Sequence, residues 1–253
     1  KSFYGFFDEN RNPISYPASD DAFNLSFMAL AYCVSQNFNS KRATQLINKL
    51  DLKPSKYIRS LSYRLIGECY LKNKSTALEL SNMIIKEFRE DINWFEEELK
   101  YANALLPYSL LVYLNTFKIR DSRINDLIIK SVSTLEKDMR IGIIPSPVGN
   151  STHHKVGGRI KDVYGQQPID AAFMILMFEQ LYKYSNSKIY LKNIAEWQQW
   201  FYGNNIWKKT LISNNNACAD GLDDRDVSGN FGAESTIMFL WAMNSCNCLH
   251  IKM

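Results

Sequence analysis

The residues of this chain that could do chemistry are carboxylates, amides and aromatic rings. It contains no HExxH zinc motif, no GxSxG nucleophile elbow, no GxxxxGK phosphate loop and no GxGxxG dinucleotide turn, which removes the familiar zinc-protease, serine-hydrolase and nucleotide chemistries. What is left suits sugars. Their hydroxyls pair with carboxylates and amides, and their ring faces stack on aromatic side chains. Glycoside hydrolysis itself needs one carboxyl to protonate the leaving oxygen and a second to activate water or attack.

Four constellations carry these groups. Ser19-Asp20-Asp21-Ala22 stands directly before the apolar run Phe23 to Val34. It reads equally as a helix N-cap, where Ser or Asp satisfies free backbone N–H groups and favours the helix dipole. The second runs from Trp94 through Glu96, Tyr101 and Asn103 to Pro107. On a helix Glu96 and Asn103 would lie about two turns apart on one face. Asn93 and Glu96 would form a capping box, and Pro107 would kink or interrupt the helix.

The third constellation extends from Gly149-Asn150 to Gln166-Gln167-Pro168-Ile169-Asp170-Ala171, with amides and a carboxylate around a proline that suits a first helical turn. His153 and His154 in the same loop could carry protons, although exposed loop residues are the plainer reading. The fourth comprises Cys218-Ala219-Asp220-Gly221-Leu222 and Asn230-Phe231-Gly232-Ala233-Glu234-Ser235-Thr236. Asp224, Asp226, Ser228 and Gly229 follow the opening of a calcium loop, but Glu234 falls one position before the required bidentate ligand. Cys246, Cys248 and His250 have unusual spacing for zinc and read as a C-terminal tail. No metal and no cofactor is expected.

The elements that must position these groups are helices. Apolar residues recur with helical period at Ile58, Leu61, Leu65 and Cys69, and at Ile124, Leu127, Ile128, Val132 and Leu135. Alternating strand patterns are nearly absent. Helices are expected at roughly 20–36, 41–50, 55–72, 75–89, 94–117, 122–138, 167–185, 187–202 and 232–243. Hairpins of similar length pack as a superhelix or close into an α/α toroid, and the lack of a fixed-period repeat favours the toroid. Two long connections, Ile141 to Gln166 and Gly203 to Phe231, are rich in Gly, Asn and Asp, the mark of functional loops.

Composition sets the outer bounds. With 253 residues, 46% hydrophobic and 22% charged, and no stretch reading as a linker, a single globular domain over 1–253 is expected. The net charge of +4 is dispersed, so no patch tracks a nucleic-acid backbone, and the longest apolar runs are too short for a membrane span. Lys1 to Phe7 runs straight into Asp8-Glu9-Asn10-Arg11 without the apolar core or cleavage site of a signal peptide. A signal already removed is compatible with a first residue other than Met. Five cysteines form no disulfide framework, which favours a reducing, cytoplasmic compartment. Asn24-Leu25-Ser26, Asn73-Lys74-Ser75 and Asn150-Ser151-Thr152 match the glycosylation pattern, as an Asn-rich chain does by chance.

Taken in order, the four constellations resemble a family of bacterial and archaeal α/α-toroid domains, six-hairpin-glycosidase-like, often fused or adjacent to glycosyltransferases. The resemblance runs through nearly the whole chain. It rests on Phe7-Asp8, Asp20-Asp21, the Trp94-Phe95-Glu96…Tyr101…Asn103-Ala104…Pro107 segment, Gly149-Asn150, and Gln166-Gln167-Pro168 with Asp170-Ala171. Trp200 to Asn205, Cys218 to Leu222 and Asn230 to Thr236 complete it. Ala102 and Gly165 depart from the pattern, standing where it has aspartates, and Ala22-Phe23 replaces the Asn-Arg that follows the Asp pair.

The resemblance implies an all-α toroid, complete or with a shortened ring, that takes a carbohydrate ligand in a carboxylate-lined pocket at one end and associates functionally with a glycosyltransferase. As a hydrolase, the chain would draw its acid and base from Asp20, Asp21, Glu96, Asp170 and Glu234. Asn103, Asn150, Gln166, Gln167, Asp220 and Asn230 would bind hydroxyls, while Trp94, Tyr101 and Trp200 would supply stacking surfaces or pocket walls. A carboxyl pair about 5 Å apart would imply a retaining mechanism, and a wider pair an inverting one. The alternative is a glycan-binding or glycosyltransferase-accessory module that keeps the pocket without the acid–base pair.

Overall fold

The computed structural model describes residues 4, 7–14, 18–53, 55–150, 154–159 and 163–251. His153, Ser151 and Thr152 lie outside the described residues. Helices dominate, and the strands among the described residues are two residues long each. No described helix is long and apolar enough to cross a membrane. The chain divides into two compact units, residues 1–87 with 112–121, and residues 88–111 with 122–253.

The first unit contains α1 (Asp20–Ser35), α2 (Ser40–Ile47), α3 (Ile58–Tyr70), α4 (Lys74–Lys86) and the last part of α5 (Leu105–Phe117). The serine expected to cap α1 does so: Ser19 Oγ accepts from Ala22 N at 3.2 Å, with Asp20 and Asp21 in the first turn. Helix α1 packs against α3 along much of its length. Gly67 permits that approach, since a Cβ there would sit 2.5 Å from the Phe27 ring. Phe27, Ala31, Leu65, Ile66, Ala77 and Ile84 are fully buried in this unit's core.

The second unit contains the start of α5, then α6 (Ser122–Asp138), α7 (Pro168–Ser185), α8 (Ile189–Phe201) and α9 (Ala233–Cys248). On α6 the expected apolar stripe is inward, with Leu127, Ile128, Val132 and Leu135 buried. α7 is apolar nearly all round and is buried from Pro168 to Glu179, packing on α8 and α9. Tyr108, Phe173 and Trp241 meet as an aromatic cluster with centroids 5.8–6.4 Å apart. Strand β1 (Glu98–Leu99) pairs antiparallel with β4 (His154–Lys155), and β2 (Arg140–Ile141) pairs with β3 (Ile144–Pro145).

Three elements differ from the sequence expectation. Residues 94–104 are not the first turns of a helix, because Trp94 forms a bridge with Arg89, Glu98–Leu99 joins β4, and Asn93 and Ala102 take positive φ of 52° and 48°. Glu96 and Asn103 therefore do not share a helix face, Asn93 and Glu96 form no capping box, and Pro107 sits in the first turn of α5, where it costs no internal hydrogen bond. α9 continues to Cys248, so Cys246 and Cys248 are helical rather than tail residues. His154, expected in an exposed loop, is fully buried by the β1–β4 pairing.

Candidate functional site

The second unit collects most of the sequence candidates at its loops. Gln166 is the hub. Its backbone N–H donates to Leu222 O at 3.1 Å, and Leu222 N–H donates back to Gln166 O at 2.9 Å. This bridge ties the loop before α7 to the loop before α9. Gln166 Nε2 donates to Ser146 Oγ at 3.1 Å and Val163 O at 2.9 Å, while its Oε1 accepts from Trp200 Nε1 at 3.0 Å. The side chain is fully buried and fully used, so it builds the site rather than facing a ligand. Gly165, one of the two vacated aspartate positions, has φ of +74° and donates its N–H to Leu222 O at 2.7 Å. A glycine takes that backbone conformation without the cost a Cβ would add.

Asp170 and Asn103 form a second buried knot. Asp170 Oδ1 accepts from Asn103 N at 3.0 Å and from Asn103 Nδ2 at 3.1 Å, and Asn103 Oδ1 accepts from Lys100 N at 2.9 Å. Both side chains are buried. The knot pins the irregular segment before α5 to the first turn of α7. Asp170→Ala would remove the acceptor that the Asn103 backbone N–H and side-chain amide share, while Asn103 Nδ2 keeps its 3.3 Å bond to Lys100 O; the expected loss is about 2 kcal/mol, read as a lower urea midpoint. Asp170→Asn, which keeps one acceptor oxygen, should lose less, and equal losses for the two variants would contradict the clamp.

Asp220 gathers the third group. Its Oδ1 accepts from Gly232 N at 2.7 Å and Ser235 Oγ at 2.9 Å, and its Oδ2 accepts from Asn230 Nδ2. The carboxylate thus caps the entry to α9. Glu234, the next residue along that first turn, is exposed. Nearby in sequence, burial pushes the Cys218 thiol up to about 12, leaving it inert as a nucleophile.

The remaining candidates divide by exposure. Trp94 and Trp200 are fully buried, so neither offers a ring face to a sugar. Tyr101 is exposed, Gln167 is half-buried at the N-cap of α7, and Asn150 is exposed with its N–H donating to Gly165 O at 3.3 Å. Glu96 is half-buried, with Oε1 3.4 Å from Lys100 Nζ. Asp20 and Asp21 belong to the first unit. There Asp20 Oδ2 accepts from Ser55 Oγ at 2.6 Å and its carbonyl accepts from Ser60 Oγ at 2.8 Å, while Asp21 is half-buried.

Two features escaped the sequence reading. Tyr164 and Trp207 stack with centroids 6.2 Å apart and planes at 21°; the only signal is an aromatic in each of the two long Gly- and Asn-rich loops. Two residues beyond Trp207, Lys209 Nζ lies 2.6 Å from Asp226 and holds the pKa of that exposed carboxyl below its ordinary value. The other feature is His154, whose two ring nitrogens have no hydrogen-bond partner and whose Nε2 lies 3.7 Å from Asp138 Oδ2. Asp138 accepts from Gly157 N at 2.6 Å and lines an open cavity of about 430 Å³ with Asn93, Lys130, Ser133 and Thr134. None of the sequence candidates lines that cavity. Among the described residues no group of three or more His, Cys, Asp and Glu side chains is placed to hold a metal ion.

No family model matches the chain, and no curated protein matches it.

Proposed function

We propose that this protein is carbohydrate-active, of the toroid glycosidase type, and holds a glycan at the loop cluster of its second unit. The observation that carries the reading is the Gln166–Leu222 bridge. It fastens together two loops that present exposed aromatic rings, Tyr164 and Phe231, with the half-buried amide of Gln167 and the exposed carboxylate of Glu234. Rings beside amides and carboxylates are the chemistry of pyranose recognition, where C–H faces meet π faces and hydroxyls meet polar edges. Sequential helices packed in pairs, α1 with α2, α3 with α4 and α7 with α8, support the toroid reading.

In the hydrolytic form of this function, Glu96 and Glu234 are the acid–base candidates of the second unit. Asp170 and Asp220 already accept two or more internal hydrogen bonds, and these bonds favour the ionised form that a general acid must give up. That commitment, with Ala102 and Gly165 in place of aspartates, favours a second reading: a glycan-binding module accessory to a glycosyltransferase. Five free cysteines, three of them buried, fit a cytoplasmic location for either form.

Incubation with a panel of soluble oligosaccharides separates the readings. A hydrolase releases shortened products, and Glu96→Gln or Glu234→Gln lowers its turnover by about 10²-fold or more while ligand still binds. An accessory module binds without turnover in any variant. No binding and no turnover across glucan, mannan, galactan and N-acetylglucosamine oligomers would overturn the carbohydrate reading.

A further inference from the structure

We propose that Tyr164 and Trp207 form a stacking platform for the apolar face of a pyranose ring, with the exposed residue Asp223, whose backbone carbonyl holds the indole N–H, available to accept hydrogen bonds from its hydroxyls. This rests on the carbohydrate reading and adds to it a subsite built by residues outside the motifs on which that reading began.

The platform is held in place from beneath. Trp207 Nε1 donates to Asp223 O at 2.9 Å, and Trp207 N donates to Asn205 Oδ1 at 3.1 Å. Asn205 is itself buried, its Nδ2 donating to Trp200 O and Lys209 O at 2.8 Å each. The indole therefore has little freedom to rotate away. Tyr164 directly precedes Gly165, whose N–H is bonded to Leu222 O, so the tyrosine ring is carried by the same bridge that organises the polar loops.

With one face against the indole, Tyr164 still leaves 41% of its surface exposed, and Trp207 stays half-exposed. Two large rings left at the surface and fixed in orientation have already lost the freedom that binding would otherwise remove. The face of an aromatic ring is the negative end of its quadrupole, and the C–H bonds on one side of a pyranose are its positive complement. Asp223 is exposed, and it extends the chain directly from the bridge residue Leu222. An ionised carboxylate accepts hydrogen bonds only, so it suits a sugar edge rich in hydroxyls and disfavours an anionic ligand.

The test uses the full chain with the same oligosaccharide panel, read by calorimetry and tryptophan fluorescence. Trp94, Trp197 and Trp200 are fully buried, while Trp207 and Trp241 are half-buried, so the Trp207→Phe variant is what assigns an emission change to the platform. A bound sugar should shift wild-type emission, and Trp207→Phe should abolish most of that shift. Tyr164→Leu should weaken binding about tenfold, whereas Tyr164→Phe should stay within about twofold of wild type. Upfield shifts of ligand C–H protons in the wild-type complex provide a readout that needs no variant to fold. Binding that is unchanged in Tyr164→Leu, with no upfield shift, would overturn the platform and leave the carbohydrate reading standing. No binding by the wild-type protein would overturn both.

Discussion

Gly221→Ala should cost the second unit about 3 kcal/mol and loosen the junction between its two loops. A Cβ at Gly221 would lie 2.3 Å from Gln166 O and 3.3 Å from its carbonyl carbon. Those are backbone atoms, so no side-chain rotation can relieve the overlap. The same carbonyl oxygen accepts from Leu222 N at 2.9 Å, and pushing it away breaks the bridge that joins the two loops. Gly229→Ala in the same loop is the matched control, because a Cβ there meets nothing within 4 Å. It should change stability by less than about 0.5 kcal/mol. Urea denaturation of both variants decides the matter, and similar midpoints would refute the close approach at Gly221.

In the first unit the largest expected effect belongs to Glu68→Ala. Glu68 Oε1 accepts from Arg64 Nε at 2.6 Å and lies 2.6 Å from its Nη2, while Oε2 accepts from Asn73 Nδ2 at 2.9 Å. The side chains are 3% and 13% exposed for Glu68 and Arg64, too little for water to replace a lost partner. The Arg64 guanidinium also lies 4.3 Å above the Phe27 ring, at the seam between α1 and α3. Removing the carboxylate strands a charge in that seam, at a cost of about 3–5 kcal/mol. The double variant Arg64→Met with Glu68→Leu should recover most of it, since apolar replacement removes the need for the pair. A double variant no more stable than Glu68→Ala alone would show that the loss comes from packing and not from the stranded charge.

Helices were the legible part of the sequence, and the reasons differ from one to the next. α6 spans Ser122–Asp138 as its apolar period requires, and α1 begins where Ser19 and two aspartates announce it. Residues 94–104 misled because their pattern is compatible with a helix, and the positive φ of Asn93 and Ala102 has no signature in residue type strong enough to break it. Pro107 held the better clue, since proline is welcome in a first turn and unwelcome inside a helix.

The candidate residues were legible as a set, but their division of labour was not. From sequence Asp170 looks like an acid or base and Gln166, Asn103 and Asp220 like ligand-binding groups, yet the structure spends their hydrogen bonds on one another, on other side chains and on the backbone. Polar groups that hold loops and polar groups that hold ligands have the same residue types. Only burial and partner geometry separate them. Trp94 and Trp200 show the same ambiguity for aromatic rings, being core residues where Tyr164 and Trp207 stay at the surface.

The segments that make up the first unit are not contiguous, for it needs residues 112–121 as well as 1–87. During synthesis, the amino-terminal helices must wait while residues 88–111 emerge before the last piece of their own unit becomes available. Until then Leu65, Ile66 and the rest of that core lack part of their final cover, a window in which exposed apolar surface invites aggregation or chaperone capture. A ribosome pause placed after the codon for Asp121 has cleared the exit tunnel would therefore help this unit to fold, whereas one placed between Glu87 and Val112 would prolong its most vulnerable state.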